Sequence, residues 1–358
     1  MSAILYYIAG HGYGHAVRSA QVVRALLKAR GGIAVHVRTT APQWLFPRSA
    51  RYSSQSLDVG LVQRDSLQMD LAATLQACKE LYGNADQVID REFAFLRENN
   101  IDLIVADIPP LAFAIAARAG VQSVAITNFS WDGIYSSYAD KIPEFAAVVE
   151  RISSYQNCAT LLLKLPYACP METFPVQHQI PWIARRSRIG KLAAREKFAL
   201  PRDAKIVLLS FGGLGLDRLP WSKLKLQKDL FFVATGDASH KDGNTLILPD
   251  TQRHYEDLLS AIDILVTKPG YGIVADVLSQ RVPILYTDRG EFTEYEYLVR
   301  ALQDCATADY IPQPELLTGN VAEYTTRILN KTPNWPEVRL DGASVAANEI
   351  LTLLDRSR

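Results

Sequence analysis

The sequence predicts an α/β protein made of two doubly wound, Rossmann-like domains that face a central cleft. A chain of 358 residues exceeds the size that one hydrophobic core usually fills, so two domains are expected. Short apolar runs alternate with helical patterns in both halves, which is typical of parallel sheets covered by helices. A proline-rich segment interrupts the alternation at 166–190. We therefore expect domains at 1–165 and 191–339, a linker at 166–190, and a C-terminal helix near 340–358 that can pack back on the first domain.

The alternation predicts each element in order along the chain. In the first half, helical patterns cover about 66–98 and 110–119, and the predicted strands are 3–9, 33–38, 101–106, 121–127 and 160–165. In the second half, a final helix covers 341–355, and the predicted strands are 205–210, 230–234, 245–248, 262–267 and 282–287. Ligands of such sheets bind beyond the carboxyl ends of the strands, where the strand order reverses. The residues that follow each strand are therefore the candidates for function.

The composition restricts the class of partner. The 38 basic residues balance the 38 acidic ones, so nothing predicts a global attraction to nucleic acid or to an anionic membrane. The 4 cysteines form no C-x-x-C pair, which favours reduced thiols over a disulfide framework or a zinc site. No basic region precedes the first apolar strand, and no apolar run reaches the roughly 18 residues of a spanning helix. We expect a cytoplasmic protein without a signal peptide or an integral membrane segment.

The first strand runs directly into a turn of glycines and histidines, Gly10–His15, and a helix follows it. Glycines let a ligand approach the main chain, and the start of a helix offers backbone N–H groups and a positive dipole end. His11 and His15 add two imidazoles that move protons near neutral pH. A plain tight turn would explain the glycines but not the histidines. The segment therefore predicts a catalytic site.

A dinucleotide fingerprint does not fit this turn. The motif that begins at Gly10 and Gly12 needs glycine or alanine at the position of His15. No acidic residue ends the next predicted strand, where a ribose-binding carboxylate would stand. Arg38 lies there instead and leaves an NADP site as a minor alternative.

A second glycine turn follows the predicted strand 262–267. Gly270 and Gly272 expose N–H groups at a helix start, which suits a phosphate, and Lys268 adds a positive charge. Asp276, one turn later, is a candidate for holding a ribose diol, although a surface carboxylate would explain it equally well. Gly212 and Gly213 form another turn after a strand of the same half, and together the two turns predict a diphosphate site.

These motifs resemble nucleotide-sugar glycosyltransferases of the GT-B fold. The segment from Leu248 to Leu278 is similar to the sugar-nucleotide signature of the UDP-glycosyltransferases. The resemblance implies that Lys268 binds phosphate, that Tyr271 takes the place of a stacking tryptophan and that Asp276 holds the ribose hydroxyls. The turn at Gly10–His15 resembles the N-terminal turn of the same superfamily and of lipid-linked GlcNAc transferases.

A narrower resemblance involves the same turn, the run Thr127–Asp132 and the run Lys268–Gly272. These segments are similar to the N-terminal glycosyltransferase-like region of plant L-arabinokinases and its stand-alone bacterial relatives. The kinase half of those plant proteins has no counterpart in the 358 residues, so the resemblance implies no sugar-kinase activity. The Asp-Gln pair that contacts the donor sugar in many UDP-glycosyltransferases is missing. Glu291 and Glu294 are the candidates for its role, and the sugar stays open.

The resemblance implies inverting transfer of a sugar, with UDP favoured as the nucleotide, to a hydroxyl acceptor without a metal. His15 is the first candidate for the base that deprotonates the acceptor, and His11 is the second. Asp107, at the end of a predicted strand, is expected to orient the histidine, with Asp132 in reserve; a helix-capping role is the alternative for Asp107. Candidate acceptor-binding residues are Gly12, Gly14, Asn128, Trp131 and Asp132, although an aromatic residue at 131 can equally be packing.

Two other functions stay open. A nucleotide-sugar 2-epimerase would use the same fold and diphosphate site without an acceptor. A non-catalytic nucleotide-sugar-binding or regulatory module would need no base. The presence of the histidines and Asp107 argues against such a module. The sequence does not predict the sugar, the acceptor or the oligomeric state.

Overall fold

Two seven-stranded sheets organise the chain. The computed structural model describes residues 2–62, 69–211, 219–236, 239–249, 254–290 and 292–356. These residues form two compact units. The first unit extends to Ile183 and includes Phe292–Glu294 and the residues from Arg339 on; the second comprises the remainder.

The first sheet is parallel throughout, in the order β3-β2-β1-β4-β5-β6-β7. Its strands are β1 (Ala3–Ile8), β2 (Ala34–Arg38), β3 (Arg51–Ser53), β4 (Leu103–Asp107), β5 (Gln122–Thr127), β6 (Leu161–Lys164) and β7 (Gln177–Gln179). All six residues of β1 are buried, because helices cover both faces of such a sheet. The order reverses between β1 and β4, so the crevice expected for a ligand lies at the carboxyl ends of these two strands.

The helices of the first unit follow the predicted alternation with two differences. They are α1 (Tyr13–Ala29), α2 (Leu71–Gly83), α3 (Ala85–Glu98), α4 (Leu111–Ala119), α5 (Trp131–Ala139), α6 (Phe145–Gln156) and α14 (Gly342–Arg356). The single helix predicted at 66–98 is in fact two helices, α2 and α3. Asn84 separates them because its backbone is not helical. Helix α5 was not predicted. Trp131, Tyr135 and Tyr138 repeat at helical spacing and are buried, but these aromatic residues also fit a binding wall.

The second sheet repeats the same architecture in the order β10-β11-β9-β8-β12-β13-β14. Its strands are β8 (Lys205–Ser210), β9 (Leu230–Gly236), β10 (His240–Asp242), β11 (Thr245–Pro249), β12 (Ile264–Thr267), β13 (Ile284–Tyr286) and β14 (Ala308–Tyr310). Its helices are α7 (Lys191–Lys197), α8 (Trp221–Leu224), α9 (Tyr255–Ala261), α10 (Tyr271–Gln280), α11 (Glu294–Cys305), α12 (Gln313–Thr318) and α13 (Ala322–Leu329). The strand β10 is antiparallel to β11. The order reverses between β8 and β12, so the second crevice lies at the ends of these strands.

The segment 166–190 contributes a strand to the first sheet, although it was expected to be a linker. The strand β7 pairs with β6 in parallel register. Beyond it, the backbone N–H of Trp182 donates to the carbonyl of Arg339 at 3.1 Å, and the N–H of Gly342 donates back to the carbonyl of Trp182 at 3.0 Å. Helix α14 then packs on α1, and Arg30 forms a two-pronged ion pair with Asp355 at its end.

We predict that Gly342→Ala destabilises the first unit. A Cβ atom at this position would lie 2.1 Å from the carbonyl oxygen of Pro181, and backbone atoms cannot move aside cheaply. Overpacking of this kind costs about 1–3 kcal/mol or more. Urea unfolding measures the change, with Gly31→Ala as the control because no atom lies within 4 Å of its added Cβ. Equal stability of the two variants would contradict the prediction.

Within the described residues, no helix is both long enough and apolar enough to cross a membrane.

Candidate active site

The reversal of strand order in the first sheet brings a histidine and an aspartate together. The end of β1 leads into the turn that contains His15, and the neighbouring β4 ends at Asp107, which is paired in register with Ile8. The Nδ1 atom of His15 lies 2.9 Å from Oδ1 of Asp107. When Nδ1–H donates to this carboxylate, the lone pair of the imidazole is on Nε2. The His15 side chain keeps 12% of its surface exposed, whereas Asp107 is fully buried.

Arg18 completes this pair, and sequence reasoning missed it. Its guanidinium donates to both carboxylate oxygens of Asp107, from Nε at 2.7 Å and from Nη2 at 2.6 Å. Ser19 donates a further hydrogen bond to the same carboxylate at 2.7 Å. His15, Arg18 and Ser19 are three and four positions apart on α1, so they share the helix face toward β4. This spacing is the signal in the sequence that Arg18 shares a helix face with His15, but it does not reveal Asp107 as the partner of Arg18.

The surroundings keep Asp107 ionised. Burial alone would raise the pKa of its carboxyl group, but the Arg18 guanidinium and His15 more than offset burial and hold the pKa well below its usual range. The carboxylate is therefore fully available to orient the imidazole. The capping alternative is not observed, because α4 begins after Pro110 without a side-chain cap.

The backbone after Asp107 is strained. Ile108 has φ of +83°, in a region that β-branched residues rarely adopt. Residues held in this way cluster at functional sites, where the surrounding structure enforces the geometry.

His11 has a separate carboxylate partner. Its Nε2 atom lies 3.3 Å from Oδ1 of Asp58, a residue that sequence reasoning did not single out. Burial lowers the pKa of His11, but the Asp58 carboxylate outweighs burial and raises the pKa above its usual value. The His11 side chain is 36% exposed, and that of Asp58 is 1% exposed.

The glycines of the turn leave the main chain open. Gly12 has φ of +74°, which favours glycine, and a Cβ atom at Gly12 or Gly14 would have no atom within 4 Å. The predicted approach of a ligand to this backbone is sterically allowed.

The other acceptor-side candidates are buried and engaged by protein groups. Asn128 accepts from Nη1 of Arg18 at 2.6 Å and donates to Glu294 at 2.7 Å within the first unit. Trp131 is 3% exposed and stacks on Tyr135, with ring centroids 5.4 Å apart. Asp132 is 7% exposed and accepts from the hydroxyl of Thr173 at 3.2 Å.

These contacts favour packing for Trp131, because both its ring face and its N–H have protein partners. They also give Glu294 a partner in Asn128, so its predicted contact with a donor sugar stays a prediction. The sequence could not distinguish these roles, because burial depends on which elements cover each side chain.

In the second unit, the predicted anion site lies at the reversal between β8 and β12. Lys268 follows β12 directly, and Gly270 precedes the first residue of α10. A Cβ atom at Gly270 would have no neighbour within 4 Å, so this helix start is open. Tyr271 is buried and Gly272 is half-buried. Gly212, Gly213 and Glu291 lie outside the described residues.

Asp276 is buried in α10 and paired with Arg185, a residue that the sequence did not reveal. It accepts from the backbone N–H of Arg185 at 2.7 Å and from the guanidinium Nε and Nη2 at 2.8 and 2.6 Å. Burial raises the pKa of Asp276 and Arg185 only partly compensates for it. The alternative of a surface carboxylate is therefore wrong. The predicted hydrogen bonds from a ribose would come in addition to those that the Asp276 carboxylate already accepts from Arg185.

Known proteins resemble this chain in sequence and in fold. Residues 2–143 match the model of the family Glycosyl transferase family 1. Over 359 aligned residues the chain is 31% identical to L-arabinokinase of Arabidopsis thaliana, covering 96% of this chain and 33% of that protein. The predicted resemblance to plant L-arabinokinases is confirmed, and the chain spans about a third of the length of this curated relative.

The solved structures similar to this chain show the fold. The calicheamicin glycosyltransferase CalG4 aligns with a TM-score of 0.66 at 16% identity, covering 99% of each chain. The fold is GT-B, as predicted. The glycosyltransferase SsfS6 of Streptomyces sp. SF2575, complexed with thymidine diphosphate, aligns with a TM-score of 0.58 at 15% identity, covering 99% of this chain and 96% of that one.

Proposed function

We propose that this GT-B protein is a metal-independent, inverting glycosyltransferase that moves a sugar from a nucleoside-diphosphate sugar, with UDP favoured, to a hydroxyl acceptor. One observation carries the proposal. The imidazole of His15, which keeps 12% of its side-chain surface exposed, is oriented through Nδ1 by a buried, ionised carboxylate at the ligand-binding end of the first sheet. This is the arrangement of a general base.

The proposed reaction is a single displacement at the anomeric carbon. The acceptor hydroxyl gives its proton to Nε2 of His15 as its oxygen attacks from the face opposite the diphosphate. The bond between the anomeric carbon and the diphosphate oxygen breaks, and its electron pair leaves with the diphosphate. Asp107 stabilises the imidazolium that forms, and Arg18 holds Asp107 in position.

The second unit is proposed to bind the nucleotide. Lys268 and the open start of α10 at Gly270 supply positive charge and N–H donors for the leaving diphosphate. These groups would take the place of a metal ion. The thymidine diphosphate bound by SsfS6 makes dTDP the second nucleotide to test beside UDP.

We predict that UDP or dTDP stabilises the protein against heat, and that EDTA does not remove the effect. A ligand at 100 times its dissociation constant adds about 2.7 kcal/mol to the free energy of unfolding. Differential scanning fluorimetry with UDP, dTDP, GDP and ADP, each with magnesium or EDTA, measures this. A shift that requires magnesium would contradict metal independence, and no shift with any nucleotide would contradict the donor site.

The role of Lys268 is tested on the same protein. Lys268→Ala should weaken UDP binding by roughly 10–100-fold, the loss expected for one charge-assisted hydrogen bond, and should leave the binding of uridine unchanged. Uridine is the matched control because it lacks the diphosphate. Equal weakening for both ligands would show that the substitution disturbs the fold rather than a phosphate contact.

Incubation with the nucleotide sugar then distinguishes the three functions. Transfer to an added alcohol, with release of the nucleoside diphosphate, supports a transferase. Conversion to the 2-epimer without an acceptor would support the epimerase, and binding without turnover would support a regulatory module.

A further inference from the structure

The turn that contains the proposed base also contains a second histidine–carboxylate pair, formed by His11 and Asp58. The proposed transfer needs one base, and His15 with Asp107 supplies it. Each histidine faces its carboxylate through a different nitrogen, since His15 uses Nδ1 and His11 uses Nε2. The atoms left for substrate are therefore Nε2 of His15 and Nδ1 of His11.

Two hydrogen bonds from helix α5 hold the second pair in place. The indole N–H of Trp131 donates to Oδ2 of Asp58 at 3.0 Å, and the hydroxyl of Tyr135 donates to the carbonyl of Gly60 at 2.7 Å. Trp131 and Tyr135 are one turn apart on α5, so a single helix face fixes the segment 58–60 at two points. The ring of His11 lies against Gly60, where an added Cβ atom would be 2.5 Å from it.

The hydrogen bonding of the Asp58 carboxylate influences the protonation of His11. Oδ1 of Asp58 is buried and, among the residues that the structure describes, accepts no hydrogen bond; its ion-pair partner is the His11 ring at 3.3 Å. A buried carboxylate oxygen without a donor is costly, and the ring of His11 lies within reach to donate to it from Nε2. Trp131 and Gly60, which also contact His11, carry no charge. The Asp58 carboxylate raises the pKa of His11 and so favours the protonated form, in which both ring nitrogens donate.

We propose that His11, held by Asp58, donates a hydrogen bond through Nδ1–H to an acceptor oxygen next to the reacting hydroxyl, so that the site selects acceptors with neighbouring hydroxyl groups. This inference rests on the proposed function. It assigns opposite roles to the two histidines of one turn: His15 receives a proton, and His11 keeps its own. His11 is then an acceptor-binding residue, and not an alternative base.

An aromatic pair beside the turn suits the same class of acceptor. Tyr13, between the two histidines, is 38% exposed, and its ring centroid lies 6.2 Å from that of Trp44. Exposed aromatic rings offer a face to the apolar side of a sugar ring and keep polar edges for its hydroxyls. A polyhydroxylated, sugar-like acceptor therefore fits the turn.

The protonation of His11 is tested first, by NMR of the histidine rings of the whole protein. The signal of His11 is assigned by its loss in His11→Gln. We expect Asp58→Asn to lower the pH midpoint of His11, because the substitution removes the carboxylate that stabilises the protonated ring. An unchanged His11 midpoint would overturn the proposal.

The role in acceptor binding is tested by the kinetics of transfer to ethylene glycol and to methanol, from the nucleotide sugar that the wild type consumes. Wild-type protein should use the diol at the lower KM. In His11→Gln the KM for ethylene glycol should rise about tenfold with a smaller change in kcat, whereas the KM for methanol should change little. Equal losses for both alcohols would overturn the inference but leave the proposed function standing. If the wild type transfers to neither alcohol, both proposals fail.

Gly60→Ala provides a variant that keeps both charged groups. Its added methyl group would displace the His11 ring, so the preference for the diol should be lost as in His11→Gln. Gly32→Ala is the matched control, because Gly32 also has a positive φ, of +78°, but has open space around its Cβ position. A diol preference that survives in Gly60→Ala would argue against a role for the position of His11.

Discussion

Replacement of His15 by glutamine is expected to lower the rate of sugar transfer by roughly 10²–10⁴-fold, the range lost with a general base. Glutamine keeps a donor for Asp107 but cannot accept the proton of the acceptor. Glutamine is close to histidine in size and can keep the hydrogen bond to Asp107, so stability should change little. The measurement is the release of nucleoside diphosphate from the nucleotide sugar in the presence of an acceptor.

The control for this experiment is His178→Gln, because His178 is exposed and pairs only at the surface with Glu349. Its rate should match that of the wild type. A His15→Gln protein that retains full transfer would rule out His15 as the base. A loss of rate accompanied by a large fall in melting temperature would instead indicate a structural role.

Replacement of Arg18 by methionine is expected to destabilise the protein by about 3–5 kcal/mol at neutral pH, the usual cost of leaving a buried charge without its partner. Arg18 is 3% exposed, and Asp107 is fully buried. The substitution removes both guanidinium hydrogen bonds from the carboxylate. Urea unfolding at pH 7 measures the loss.

The effect should depend on pH in a defined direction. The folded-state pKa of Asp107 lies well below its unfolded value, so its contribution to stability is present above about pH 4 and is lost as the pH falls further. Without Arg18, burial dominates and raises the pKa of Asp107. In acid the carboxyl group is neutral, and burying it during folding then costs less free energy. The difference between wild type and Arg18→Met should therefore shrink from pH 7 to pH 4.

Arg30→Met is the matched control, because Arg30 forms a two-pronged ion pair with Asp355 at the exposed surface. Such pairs contribute little, so this variant should unfold close to the wild type. If the stability difference between the wild type and Arg18→Met does not change with pH, the ionisation of Asp107 is not its cause.

The sequence was informative where a local pattern determines structure. Apolar runs predicted ten strands of the two sheets, and the glycine–histidine turn indicated His11 and His15 because strand, turn and helix are contiguous. The preference for His15 as the base came from the resemblance to the superfamily. Asp107 was predicted from its place at a strand end together with the resemblance to the glycosyltransferase superfamily. The break at Asn84 was missed because a long apolar periodicity continues across it.

Long-range partners were not predictable in the same way. In the sequence, Arg18 is one basic residue of a predicted helix. Its partner Asp107 is 89 positions away, and the pairing of β1 with β4 brings the two together. Asp58 becomes significant only because Trp131, 73 positions away, supports it. Arg185 and Asp276 are 91 positions apart. Single-sequence patterns carry no information on which buried charges meet, so these pairs required the three-dimensional structure.

The packing of helix α14 on α1 has a consequence for synthesis on the ribosome. Arg30 and Asp355, which join these helices, are 325 positions apart, and the whole second unit is translated between them. During that time the face of α1 that α14 covers is accessible to chaperones and to other nascent chains. Folding of the first unit is therefore finished last, although its translation begins first. For the same reason, a fragment cut after Ile183 should expose apolar surface, and it would need residues 339–356 supplied in trans to become soluble and fully folded.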